Sequence, residues 1–127
     1  MFPASAIVGQ WKTVDDEAQK EKSIIEIYEI KGKFYGKIIQ LLQPEDKGKI
    51  CDKRKGEERN KPLLGLVVLK GISKDGEEYS GGTILDPKNG KVYKCTIKLL
   101  NNGEKIKLRG YLGFSLIGRT QYWHRVK

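Results

Sequence analysis

Val92-Tyr93-Lys94-Cys95-Thr96-Ile97-Lys98-Leu99-Leu100 runs into Asn101-Asn102-Gly103 and is answered by Ile106-Lys107-Leu108-Arg109-Gly110-Tyr111-Leu112. Tyr93, Cys95, Ile97 and Leu99 recur at a period of two, with Lys94, Thr96 and Lys98 between them. That is the period of a β-strand with one apolar and one polar face. Asn-Asn-Gly tolerates the positive φ that a tight reversal requires. The second arm alternates in the same way, so the two arms form an antiparallel hairpin.

Similar units extend in both directions. Gly9 to Val14, with Trp11, reads as the first strand, and the charged stretch from Asp15 to Lys22 as a connection. Ser23 to Ile30 and Lys33 to Leu42 form a hairpin across Lys31-Gly32. Gln43 to Pro62 has no apolar period and reads as a long loop. Leu63 to Ile72 is almost wholly apolar, which suits a strand buried on both faces, and Lys74-Asp75-Gly76 turns it back. Glu78 to Leu85 contains Gly81-Gly82, a signal of a bulge or sharp bend. Asp86-Pro87-Lys88-Asn89-Gly90 is a turn, and Leu116 to Val126 is the last strand.

About eight sequential strands with one apolar face close naturally into an up-and-down barrel. The expected fold is therefore all-β, an antiparallel barrel, with an open sandwich as the alternative. At 127 residues the chain fits a single domain. Residues 7–127 are assigned to the barrel. Residues 1–6 are read as the remnant of a trimmed signal peptide or an added stub, because Phe2-Pro3-Ala4-Ser5-Ala6 ends in a small-x-small pattern. That pattern points to an exported protein, periplasmic or secreted.

The net charge is +9, from 25 basic and 16 acidic residues. Twenty of the basic residues are Lys and five are Arg, and the Lys are scattered among acids. Base and phosphate recognition leans on Arg forks and stacking aromatics, so the composition argues against nucleic acid. No apolar run is long enough for a membrane-spanning helix. Two cysteines, Cys51 and Cys95, allow one disulfide in an exported chain. Neither lies in a C-x-x-C, and His124 is the single histidine, which argues against zinc; no cofactor is expected. Nothing in the spacing joins His124 to Ser115 and Asp86 as a catalytic triad needs, and Gly81-Gly82 opens no helix as a phosphate loop would.

Gly9-x-Trp11 resembles the opening of lipocalin-type barrels, in which the Trp closes the barrel floor beneath a basic side chain from near the C-terminus. Arg119 and Arg125 are the candidates for that side chain. A longer series resembles the bacterial domain-of-unknown-function 2147 family across nearly the whole chain. It comprises Gly9-Gln-Trp11-Lys12-Thr13, Phe34-Tyr35-Gly36-Lys37-Ile38, Asn60-Lys61-Pro62-Leu63-Leu64-Gly65-Leu66, Gly81-Gly82-x-Ile84-x-Asp86-Pro87-x-Asn89-Gly90-Lys91-x-Tyr93, and Leu108-Arg109-Gly110-Tyr111-Leu112-Gly113 running into Gly118-Arg119-Thr120-Gln121-Tyr122-Trp123. The resemblance implies an exported bacterial protein with no assigned activity. Some relatives resemble Cys-x-x-Cys-x-Gly in the long loop, whereas here Arg54 and Gly56 follow Cys51, so the resemblance does not carry a paired-cysteine role to this loop, and a Cys51–Cys95 bond is the open alternative.

The candidate ligand-binding residues are Trp11, Tyr35, Tyr93, Arg109, Tyr111, Arg119, Trp123 and Arg125. Arg with Tyr and Trp on an interior face suits an anionic group on an apolar tail. The competing reading, favoured because Arg–aromatic packing is common, is that the arginines pack over Trp11 and Trp123 or pair with acids outside. Alternation alone does not say which face is interior, since a one-residue shift inverts it. The expected function is a small binding protein of the cell envelope, holding an amphipathic or hydrophobic molecule in or at the mouth of the barrel, with an enzyme of unknown reaction as a less favoured reading that no motif supports. The alternative is a partner-binding module whose Lys94, Lys98, Lys105 and Lys107 dock on an anionic envelope surface.

Overall fold

Lys31 and Gly32 both take positive φ, 51° and 82°, and bring Ile30 opposite Lys33 in a two-residue hairpin. Seven further antiparallel strand pairings make up the sheet of the molecule, a computed structural model that describes residues 4–14, 20–42, 63–86, 90–111 and 118–126. The strands are β1 (Gly9–Val14), β2 (Glu21–Ile30), β3 (Lys33–Leu41), β4 (Val67–Asp75), β5 (Glu78–Leu85), β6 (Val92–Leu100), β7 (Lys105–Tyr111) and β8 (Gly118–Arg125). Each pairs with the next, and β8 pairs with β1 through Trp11↔Arg125 and Thr13↔Trp123, so the sheet is a closed barrel in sequence order. The sandwich alternative is thereby set aside: closure leaves no edge strand.

Alternation now acquires a direction. Trp11, Ile25, Ile27, Phe34, Ile38, Cys95, Ile97, Ile106, Leu108 and Trp123 are buried, and their neighbours in sequence are not. The two ends of the barrel differ. The Lys31-Gly32 turn, the Gly76-Glu77 turn and the short 3-10 segment Asn101–Gly103 gather at one end, where the N-terminal 3-10 turn Ala4–Ile7 also lies. There Ile7, Trp11, Ile27, Ile72, Ile97 and Ile106 are completely buried, and Phe34 meets Tyr79 edge-on with ring centroids 5.6 Å apart. Fully burying each such side chain contributes about 1.5–3 kcal/mol, so this end is the stable floor. At the other end, the mouth, β1, β3, β5 and β7 end and β2, β4, β6 and β8 begin.

Three expectations need adjustment. The apolar run from Leu63 is not one strand buried on both faces: Leu63–Leu66 forms a turn, with Gly65 at φ 88° and the Leu66 N–H donating to the Leu63 carbonyl, and β4 starts only at Val67. Val68 and Leu69 are both buried because the β3–β4 register shifts beside Gly36, which rotates consecutive side chains inward. The boundary after residue 6 falls inside the Ala4–Ile7 turn, which is part of the floor. The connection expected over residues 15–22 ends two residues earlier, because β2 begins at Glu21. The long loop expected from Gln43 to Pro62 lies outside the described residues. The Gly81-Gly82 bulge is present: the β5–β6 register shifts between Tyr79 and Gly82, and Gly81 has φ 86°.

Candidate functional site

Above the packed floor the barrel interior opens into a cavity of about 180 Å³, bounded toward the mouth by Val14, Lys22 and Asp86. Its wall has two characters. Ile38, Val68, Ile84, Leu85 and Leu108, on β3 to β5 and β7, present hydrocarbon, and Tyr93 on β6 continues that side. Thr13, Ser23 and Gln121, on β1, β2 and β8, present uncharged polar groups, with Ile25 and Trp123 among them. Thr13 and Ser23 face each other across β1 and β2 with hydroxyl oxygens 2.7 Å apart, and both are more than nine-tenths buried. The Trp123 Nε1–H donates to Gln121 Oε1 at 3.4 Å.

The expected site residues separate into four pairs. Tyr93 and Trp123 line the cavity. Trp11 and Arg125 belong to the floor: the Arg125 guanidinium carbon sits 4.2 Å from the Trp11 ring centroid, and Trp11 Nε1–H donates to the Ile7 carbonyl at 2.9 Å. Arg125 also donates from Nε to the Gly103 carbonyl at 2.9 Å, from Nη1 to Val8 at 3.1 Å and from Nη2 to Ala6 at 2.6 Å. This arrangement explains Gly9: it adopts φ 137°, and a β-carbon there would lie 2.7 Å from Arg125 Nη1. Of the two floor candidates, Arg125 thus takes the structural role. Tyr35 and Arg109 are on the outer surface, Tyr35 stacked on Tyr28 at 6.0 Å and Arg109 exposed opposite Thr96 and Thr120. Tyr111 and Arg119 contribute backbone to β7 and β8, where Arg119 pairs with Gly110 and Tyr111 with Gly118.

Sequence reasoning missed Thr13, Ser23 and Gln121. The signal was there in Thr13 and Ser23, which hold inward positions in otherwise apolar alternations. His124 is exposed on the outer face between Lys12 and Lys105, toward the floor, whereas Asp86 is at the mouth, so the two do not meet. Ser115 lies outside the described residues. Among the described residues no group of three or more His, Cys, Asp or Glu is placed to hold a metal ion.

The sequence profile of a family described as "Uncharacterized protein conserved in bacteria (DUF2147)" matches residues 9–125. The chain belongs to this family. The DUF2147 barrel begins at Gly9, the floor glycine, and ends at Arg125, the side chain laid over Trp11. Its fold is similar to that of protein HP1028 from the human pathogen Helicobacter pylori, described as belonging to the lipocalin family. The TM-score is 0.81 at 26% identity, covering 95% of this chain and 83% of that one. No functionally curated protein matches the DUF2147 chain. Among its described residues no helix is long and apolar enough to cross a membrane.

Cys95 is a buried free thiol on β6, and Cys51, its expected partner, lies outside the described residues. Burial pushes the Cys95 thiol from its ordinary value near 9 up to about 12. The folded state then keeps a proton that the unfolded chain gives up. Stability linked to this group is complete below pH 9 and lost as pH rises toward 12, by about 1.4 kcal/mol per unit. Urea unfolding at pH 8 and pH 10 should show the wild type losing about 1 kcal/mol more than Cys95→Ala over that interval. Equal losses in the two proteins would exclude a buried, protonated thiol.

Proposed function

We propose that this protein is a non-catalytic carrier of the bacterial cell envelope, exported from the cytoplasm, that holds a small amphipathic or hydrophobic molecule in the mouth half of its barrel. The observation that carries this reading is the division of the interior: the floor is filled with side chains, yet about 180 Å³ is left open above it. An eight-stranded barrel is just wide enough for side chains to fill, so packing alone does not require a cavity. Apolar walls with a few convergent polar groups are the usual chemistry of a small-molecule site. The likeness to a lipocalin-family protein supports the reading. Export rests on the resemblance to exported bacterial proteins, since the small-x-small pattern Ala4-Ser5-Ala6 lies in a turn whose Ala6 carbonyl belongs to the floor.

The cavity is smaller than the roughly 300–1,000 Å³ of sites that enclose drug-sized ligands. It suits a small ring or the end of a chain, with the remainder of the molecule at the mouth. A second reading rests on the outer face of β6 and β7, where Lys98 stands directly opposite Lys107. Like charges facing across a ladder are unfavourable, and an anionic surface docked on that face would relieve them.

The deciding experiment is to recover the protein from the periplasmic fraction of a bacterium that makes it and to compare native with denaturing mass spectra. The expected result is recovery in that fraction with a bound mass that disappears on denaturation. Retention in the cytoplasm would overturn export. A bare mass that takes up nothing from lipid extracts would replace the carrier reading with the lysine face.

A further inference from the structure

We infer that the occupant of the cavity carries an uncharged hydrogen-bonding group, a hydroxyl or an amide, seated on the Thr13–Ser23–Gln121 wall, with its apolar body against the opposite wall. This rests on the carrier reading and specifies the chemistry of its ligand.

In an eight-stranded barrel, β1 has β2 and β8 beside it and β5 across from it. Ser23, Thr13 and Gln121 come from β2, β1 and β8, so they form one continuous strip. Ile84 and Leu85 come from β5, and Val68 from the adjacent β4. The cavity is therefore amphipathic across its width, not only from mouth to floor. A hydrocarbon chain entering end-on would leave the strip facing methylenes.

The strip has spare capacity of both kinds. Each hydroxyl has one hydrogen to give and two lone pairs to offer. One hydrogen bond joins Thr13 to Ser23, and a longer one at 3.4 Å runs from the Thr13 hydroxyl to the Ser23 carbonyl. With both hydrogens used in this way, lone pairs remain toward the cavity. Gln121 Oε1 accepts from Trp123, which turns the amide oxygen to the indole and leaves the NH₂ group as the donor end. A ligand group that both accepts from Gln121 and donates to a hydroxyl oxygen satisfies the strip. Hydroxyls and amides do so without charge. The lysine and aspartate of the lining, Lys22 and Asp86, stand at the rim, and its remaining titratable group, the Tyr93 phenol, is on the opposite side from the strip.

The energetic consequence can be measured. Polar groups converging on a cavity of this size hold water, and a ligand that displaces such water without replacing its hydrogen bonds loses affinity. Burying a hydroxyl in a wholly apolar cavity costs several kcal/mol, which would make phenol bind far more weakly than its isostere toluene. On this wall the penalty is cancelled.

The test titrates the whole chain with toluene, phenol and benzoate, following backbone amide shifts of Thr13, Ser23, Leu108 and Gln121 by NMR. The same titrations are run on the Thr13→Val/Ser23→Ala double variant, which removes both hydrogen-bonding partners together and so orphans neither. Its unfolding midpoint is measured alongside. Phenol should bind the wild type at least as tightly as toluene, and the phenol-to-toluene affinity ratio should fall about tenfold in the variant. Toluene binding with an unchanged ratio in the variant would overturn the inference and leave the carrier reading standing. Benzoate binding tightest would overturn the uncharged group. Shifts with none of the three probes would remove the carrier reading together with the inference. If the variant fails to fold, the wild-type ratio decides alone: toluene tighter than phenol overturns the inference.

Discussion

Arg125→Ala is expected to lower stability by about 3 kcal/mol and the thermal midpoint by about 10 °C. Three carbonyls, those of Ala6, Val8 and Gly103, accept from its guanidinium, and the indole of Trp11 lies beneath it. A hydrogen bond to a charged donor contributes about 1.5–3 kcal/mol and a cation over an indole about 0.5–2 kcal/mol. These do not add fully, because water reaches part of the site. Truncation would loosen three segments at once: the N-terminal turn, the β6–β7 connection and the last strand. Arg125→Lys should recover little, since one ammonium cannot address three carbonyls in different directions and still lie flat on a ring. Thermal unfolding by circular dichroism checks both variants. A fall of less than about 1 kcal/mol for Arg125→Ala would show that the floor is held by Trp11 and its apolar neighbours alone.

Gly82→Ala should have the larger effect, with loss of more than about 3 kcal/mol or failure to accumulate as folded protein. A β-carbon at this position would collide with the Lys70 carbonyl and lie 2.6 Å from both the Ile72 amide nitrogen and its Cγ2. The obstacle is backbone, which cannot swing aside as the end of a side chain can. Relief requires β4 and β5 to separate where Lys70 pairs with Thr83. Gly76→Ala is the informative control. Gly76 also has a conformation that favours glycine, φ 65°, but its missing β-carbon faces open space, so the cost should stay near 1 kcal/mol. Chemical denaturation of the two variants separates backbone approach from turn conformation. Equal costs would mean that the β4–β5 contact is soft.

Neither prediction touches the cavity, and that division follows from the build of the barrel. Floor and mouth are made from the same strands, but different residues serve them. Trp11 and Arg125 close the floor, whereas Thr13 and Trp123, next along the inward rows of β1 and β8, look into the open half. Binding can therefore change by substitution near the mouth without weakening the packed end. Cys95 belongs to neither purpose by its chemistry: it is a small apolar group whose proton is held by burial.

Much of this architecture was legible in the residues alone. Period-two alternation in β6 and β7 marked one apolar face per strand, because successive side chains on a pleated chain point to opposite sides. Lys31-Gly32, Asn101-Asn102-Gly103 and Gly81-Gly82 marked reversals and a bulge, because positive φ and missing β-carbons are local needs that composition reveals. The floor was implied not by periodicity but by the resemblance of Gly9-x-Trp11, with an arginine near the C-terminus, to the opening of lipocalin-type barrels. Tertiary structure alone decided which arginine covers the indole, since Arg119 and Arg125 share a parity and only the β1–β8 register brings Arg125 level with Trp11. It also decided that Leu63–Leu66 turns before β4, since a run of leucines carries no period to read. Most of all it decided the site. Thr13 and Ser23 each interrupt an apolar alternation within their own strands, but their meeting with Gln121 in one strip is not written along the chain: it exists only once the barrel closes and sets the register between three strands.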